Sequence, residues 1–319
     1  MLTTAELLHY GTIVATIVIP SLSVSIGQGY IGRSALQASD IQPHAKADIL
    51  KAAIFGCALS ETSALIGLTI SLFLLLGAPQ EHTLVISIAQ LGIACAICLP
   101  GAVIGLVSAW PAQQACLAIA RQPFFQEKIV RIMLLMQSII QTPIIFGFII
   151  AMFIKNQTWV ADSLIESIQL VGSGLCLGLG SIGPALGLAL FGGTACQTLG
   201  INRQAYGSLL SFILISQAII ETPIVFSLII SLLMLTITTA HTSFLVASLS
   251  ILGAALCMGF GTLGPSISSG KTASTACHMI AQFPEYYPNI SRLSMLSQGI
   301  IDTSAIYAFT VAMLLIFSH

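Results

Sequence analysis

Long apolar runs fill most of the chain, and short polar stretches break them at regular intervals. Eight runs can be read, at 5–38 and 45–77, 83–120 and 126–155, 160–200 and 205–238, 242–280 and 286–318. Each is longer than the roughly 20 residues that cross a bilayer's hydrocarbon core. Within lipid only helices and closed barrels satisfy every backbone polar group, and these runs lack the alternation of strands. The pattern predicts an all-α membrane protein with eight transmembrane helices.

The polar breaks recur in a fixed register. Pro43, Pro123, Arg203 and Pro284 stand at spacings of 80, 80 and 81 residues, each in a short loop between two runs. Eighteen residues after each comes a polar side chain inside an apolar stretch, Glu61, Gln141, Glu221 and Asp302, always followed by threonine. A fixed period with matching landmarks marks an internal repeat. The chain therefore divides into four tandem helical hairpins, 1–80, 81–158, 159–239 and 240–319.

Charge orients them. Of ten Lys and Arg, nine lie in or beside the four hairpin loops, and only Lys155 lies at the opposite end. The positive-inside rule makes the loops cytoplasmic and puts both termini on the other side. Every hairpin repeats one orientation, which excludes an inverted-repeat transporter. Between Met1 and Tyr10 there is no Lys or Arg, so the first helix is expected to be retained rather than cleaved as a signal peptide.

Composition agrees with lipid as the solvent: 56% of the 319 residues are hydrophobic and 7% charged. The net charge of −1 gives no case for a nucleic-acid partner. The eight cysteines fall inside apolar runs without a second ligand pair, which reads as packing rather than metal binding. The six histidines lie at run ends and loops and read as surface groups.

The first run of each hairpin is dense in small residues, as in Gly172, Gly174, Gly178, Gly180, Gly183 and Gly187. Such residues let membrane helices approach closely. A small-residue helix alternating with a bulky one, four times over, predicts a two-layered oligomeric ring, first helices inside and second helices outside.

Intramembrane acids are costly and mark function by default. Only Glu61, Glu221 and Asp302 lie deep in the spans; the other eight acids lie toward loops or span ends. These three are the candidate ion carriers. Gln141, which cannot exchange a proton, is an inactive equivalent. Pro223 and Pro143 lack an N–H, which predicts released carbonyls at Ile219 and Ile139. Gln217 and Gln298, one turn before their acids, and Tyr307, five residues after Asp302, are candidate hydrogen-bond partners.

Gly27-Gln-Gly-Tyr30, Gly180-Ser-Ile-Gly-Pro184, Arg121-Gln-Pro123, Gln217-Ala-Ile-Ile-Glu221-Thr222 and Asp302-Thr-Ser-Ala-Ile-Tyr307 resemble the c subunit of F-type ATP synthases, once per hairpin. An ordinary member of that family is a single hairpin; this chain holds four. The resemblance implies a proteolipid of a homo-oligomeric rotor ring with no catalytic residue of its own and no cofactor. It also implies a stator a subunit with an arginine and two half-channels, and central-stalk subunits at the cytoplasmic loops. Ions would load on one side, turn through lipid on neutralised carboxyls and unload on the other. No Walker motif occurs, so partner subunits would handle ATP.

Sodium-binding relatives place a glutamine on the first helix at the depth of the acid and a hydroxyl after it. Gln28, Glu61 and Thr62 match that set, and they would be the ligands if sodium is carried. The corresponding first-helix residues elsewhere are Ser108, Leu188 and Ser269, and the hydroxyls after the other acids are Thr222 and Thr303. One stator should load one ion type at every site, so protons are the expected cargo and sodium the alternative. A V-type ATPase proteolipid would use the same chemistry in reverse. A stand-alone channel should show a polar pore stripe, which the Gly, Ala and Ser of the first helices do not form. A membrane scaffold leaves the three acids unexplained.

Overall fold

A computed structural model describes residues 3–77, 83–158, 161, 163–237 and 244–317. Among these, eight helices are long and apolar enough to span a membrane. They are α1 Thr4–Ile41, α2 Pro43–Leu76, α3 Leu84–Arg121, α4 Pro123–Thr158, α5 Leu164–Leu199, α6 Arg203–Thr236, α7 Phe244–Gln282 and α8 Pro284–Phe317. The described residues contain no strand. The chain is an integral membrane protein of tandem helical hairpins.

Local chemistry sets the ends. Three first helices start on a hydroxyl cap in the same repeat position: Thr3 accepts from the Glu6 N–H, Thr83 from that of Ile86 and Ser163 from that of Glu166. Such caps satisfy backbone donors that have no partner within the helix. Glu6 closes a capping box back onto Thr3 at 2.7 Å. Pro43, Pro123 and Pro284 each open a short 3₁₀ turn that starts the second helix, where a missing N–H costs nothing. In the third hairpin Asn202 replaces that device by accepting from the Gln204 N–H at 2.9 Å.

The helices form two layers. First helices α1, α3, α5 and α7 lie side by side, and second helices α2, α4 and α6 each sit in the groove between their own first helix and the next hairpin's. Glycine makes the first layer tight: a methyl added at Gly187 would strike the Ser266 carbonyl, at Gly270 the Gly187 carbonyl, and at Gly27 the Gly105 carbonyl. Burial follows position in the row. The most apolar stretch of α5, in the middle, is 72% buried, whereas that of α8, with no following hairpin, is 22% buried.

Polar ties cross the joints. In the loops Gln122 donates to the Gly200 carbonyl (3.2 Å) and Asn202 to the Ala281 carbonyl (2.8 Å). At the opposite end Ser87 donates to Ala5 and Ser167 to Val85, both at 2.8 Å. His9 is not a surface group: it is 1% exposed, with Nδ1 2.7 Å from Gln90 Oε1. It lies at the end of its span, but lateral packing of α1 on α3 covers it. His44 is exposed as expected, while His82, His241 and His319 lie outside the described residues. Cys116, Cys176, Cys196 and Cys277 are fully buried, and all eight thiols are free, in keeping with packing roles.

Candidate functional site

In the second, third and fourth hairpins the residue 18 after the loop landmark falls at a meeting of three helices. These are its own helix, the first helix of the same hairpin and the second helix of the preceding hairpin. Asp302 on α8, 7% exposed, accepts from the Ser269 hydroxyl of α7 at 3.4 Å. Glu221 on α6, half-buried, interacts with the Thr142 side chain of α4. Gln141 on α4, 3% exposed, donates to the Leu59 carbonyl of α2 at 3.2 Å. Glu61 on α2 has no preceding hairpin within the chain, and it is exposed. Gln141 and Glu221 thus face backward along the row of hairpins.

Among the described residues, ten buried side-chain N or O atoms have no hydrogen-bond partner. Five belong to this level: Gln137, Gln141, Gln217, Glu221 and Gln298, each through Oε1. Buried polar atoms are nearly always paired. These bare acceptors fall at the same level of the second, third and fourth hairpins.

Several residues marked from the sequence lie at these sites. Gln28 of α1 reaches α2 and donates to the Cys57 carbonyl at 3.3 Å, one turn before Glu61. The Thr62, Thr222 and Thr303 hydroxyls donate to their own helices, at Leu59, Ala218 and Ile300. Gln298 is fully buried next to Asp302 in the helix, but Tyr307 is 69% exposed. Leu188, at the first-helix position of the third site, is fully buried and brings no polar atom.

The prolines behave differently from one another. The helix Tyr206–Thr236 runs unbroken through Pro223, with Ile219 half-buried within it. At Pro143 the helix is interrupted at Gln141, whose N–H turns to the Ser138 carbonyl at 3.3 Å. The helix is also interrupted at Glu61, where no proline follows. Two contributors were not marked from the sequence. Gln137 carried the signal, a glutamine one turn before position 141, but its helix has no acid at that position; Thr142 carried it as the threonine after Gln141.

Comparison with known proteins agrees with this architecture. Residues 12–74, 171–234 and 252–315 match the family model of the ATP synthase C subunit; the second hairpin lies outside the matched segments. The ATP synthase c subunit 2 of Cereibacter sphaeroides is 40% identical over 70 residues, which is 22% of this chain and 84% of that protein. An ATP synthase c subunit of Dehalococcoides mccartyi is 36% identical over 70 residues, 22% of this chain and 92% of the relative. One from Thermosynechococcus vestitus is 35% identical over 75 residues, 24% of this chain and 92% of the relative.

Proposed function

The chain belongs to the ATP synthase C subunit family, and from that membership and its geometry we propose that it forms a rotor ring and carries protons on Glu61, Glu221 and Asp302. The observation behind this reading is the repeat itself: three acids share one offset, and two of them, Glu221 and Asp302, lie one turn from a glutamine whose Oε1 is bare. A carboxyl turning through lipid must be neutral, because burial in a low dielectric disfavours its ionised form. It discharges only where another protein supplies water and a compensating cation, the role assigned to an arginine of a stator a subunit. Copies of the chain close head to tail into a two-layered ring. The cytoplasmic loops meet the central stalk, the termini face the other side, and the boundaries at 80, 158 and 239 separate the hairpins. Gln141 makes the second hairpin a spacer that carries no ion.

Sodium is the second reading, and one site favours it: Gln28 reaches the Cys57 carbonyl one turn before Glu61, and Thr62 follows the acid. Leu188 argues against it at the third site, since an apolar side chain offers no ligand. A V-type proteolipid, driven by ATP hydrolysis, would share the same carboxyl chemistry. Purifying the chain from its own membrane and identifying the proteins that accompany it tests the assignment. Stator and stalk subunits are expected; recovery of the chain alone, with ion flux through it in vesicles, would overturn it in favour of a channel.

A further inference from the structure

One turn before the carboxylate position, buried glutamines tie hairpins together and leave their oxygens bare. Gln137, fully buried, donates to the Gly56 carbonyl at 3.1 Å and the Ser60 hydroxyl at 3.4 Å on α2, and to the Ser108 carbonyl on α3 at 2.8 Å. Gln298, also fully buried, donates to the Ser216 hydroxyl of α6 at 3.3 Å and to Ser294 at 3.0 Å. Gly56 and Ser216 hold one repeat position, five residues before Glu61 and Glu221. In both glutamines the N–H side is fixed on the preceding hairpin. Oε1 is left buried without a partner, and the same holds for Oε1 of Gln217.

The direction of these amides matters because residues four apart share a helix face. Oε1 of Gln298 therefore belongs to the face of Asp302, and Oε1 of Gln217 to that of Glu221. A protonated carboxyl has one O–H to donate and needs one acceptor. At Asp302 the Ser269 hydroxyl already donates to Oδ1, leaving the other oxygen to bear the proton. Among the described residues no charged neighbour acts on either carboxyl: the side chain at Asp302 is Ser269 of α7, and that at Glu221 is Thr142 of α4.

We propose that Gln217 and Gln298 are positioning residues whose Oε1 receives the carboxyl proton of Glu221 and Asp302, the Gln298 amide being aimed by its bond to the preceding hairpin. Gln137 keeps the tie without an acid to serve, and in the first hairpin Cys57 stands at this position. The proposal rests on the ion-carrier reading above.

The test follows carbodiimide labelling of Asp302 and Glu221 against pH, in membranes holding the assembled complex. Methionine is unbranched and close to glutamine in size, so it preserves packing while removing the oxygen. With Gln298→Met the protonated form of Asp302 loses one hydrogen bond, and its labelling midpoint should fall by about 0.5–1 pH unit, the equivalent of one such bond. Glu221 labelling in that variant should be unchanged, and Gln217→Met should reverse the pattern. Gln137→Met removes a tie with no carboxyl attached and should leave both midpoints in place. Absence of labelling in the unmodified chain would sink the ion-carrier reading itself. Normal labelling with a midpoint unmoved by Gln298→Met would overturn the acceptor role alone, as would an equal shift from Gln137→Met.

Discussion

Gln141 of the second hairpin hands its amide N–H to the Leu59 carbonyl of the first, at 3.2 Å, two residues before Glu61. The amide thus occupies the junction that a carboxyl occupies at Glu221 and Asp302. It is a permanent donor there, whereas an acid donates only while protonated.

That contrast gives the first prediction. A carboxyl-reactive carbodiimide should modify Glu61, Glu221 or Asp302 and never Gln141. Because the reagent takes the protonated acid, labelling should slow as pH rises, and sodium should protect only if sodium is the cargo. Peptide mass spectrometry reads the outcome; modification confined to loop acids such as Glu127 or Glu285 would remove the ion-site assignment.

Removing one carrier should stop coupling without unfolding the chain. Glu221→Gln places at the third junction the amide that the second already tolerates at 3% exposure, so assembly should survive. Ion-driven ATP synthesis should be abolished, because each copy would then carry two consecutive ion-free hairpins, the second and the third, where the unmodified chain has one. Glu166→Gln, in the first turn of its helix, should be mild. Equal loss of coupling in both variants would argue against the repeat offset as the guide to function.

Glycine packing separates folding from assembly. Gly183 and Gly264 hold the same repeat position, 20 residues before their loop landmarks. A methyl at Gly183 would press on the Thr262 carbonyl and Leu263, whereas at Gly264 nothing lies within 4 Å. Gly183→Val should lower the melting temperature of the detergent-solubilised chain, since overpacking costs about 1–3 kcal/mol. Gly264→Val should leave the single chain's melting unchanged but prevent ring formation, read by native mass. If both variants form rings equally well, the head-to-tail contact through α7 is wrong.

How much of this was legible beforehand depends on direction within the molecule. Along the helix, sequence offsets place Glu61, Gln141, Glu221 and Asp302 at one depth, and the apolar runs give all eight spans. Across the helices, offsets carry no information on rotation, so Thr142 facing Glu221 and Gln137 reaching Gly56 became visible only once neighbouring hairpins were in place. His9 was misread for the same reason: its position near a helix end suggests water, while α3 lies over it. Proline alone did not decide helix continuity either, since the chain stays helical through Pro223 yet breaks at Glu61.

The last prediction concerns gearing, and it returns to Gln141. A ring of n chains has 4n hairpins but, with three acids per chain, carries 3n ions per turn. Whatever number of ATP the partner head makes per turn, Gln141→Glu should raise the ion count to 4n and the ion-to-ATP ratio by a third. The ion-motive force needed to begin synthesis should then fall to three quarters of its former value. The geometry allows this substitution. Protonated, Glu at 141 can still donate to the Leu59 carbonyl. Ionised, it would face that oxygen with no donor, so discharge must occur next to the stator cation, as at the other sites. Threshold measurements in vesicles, with carbodiimide labelling to prove that residue 141 binds an ion, give the answer. An assembled variant that is labelled at 141 yet keeps the original threshold would show that the ring's ion count does not set its gearing.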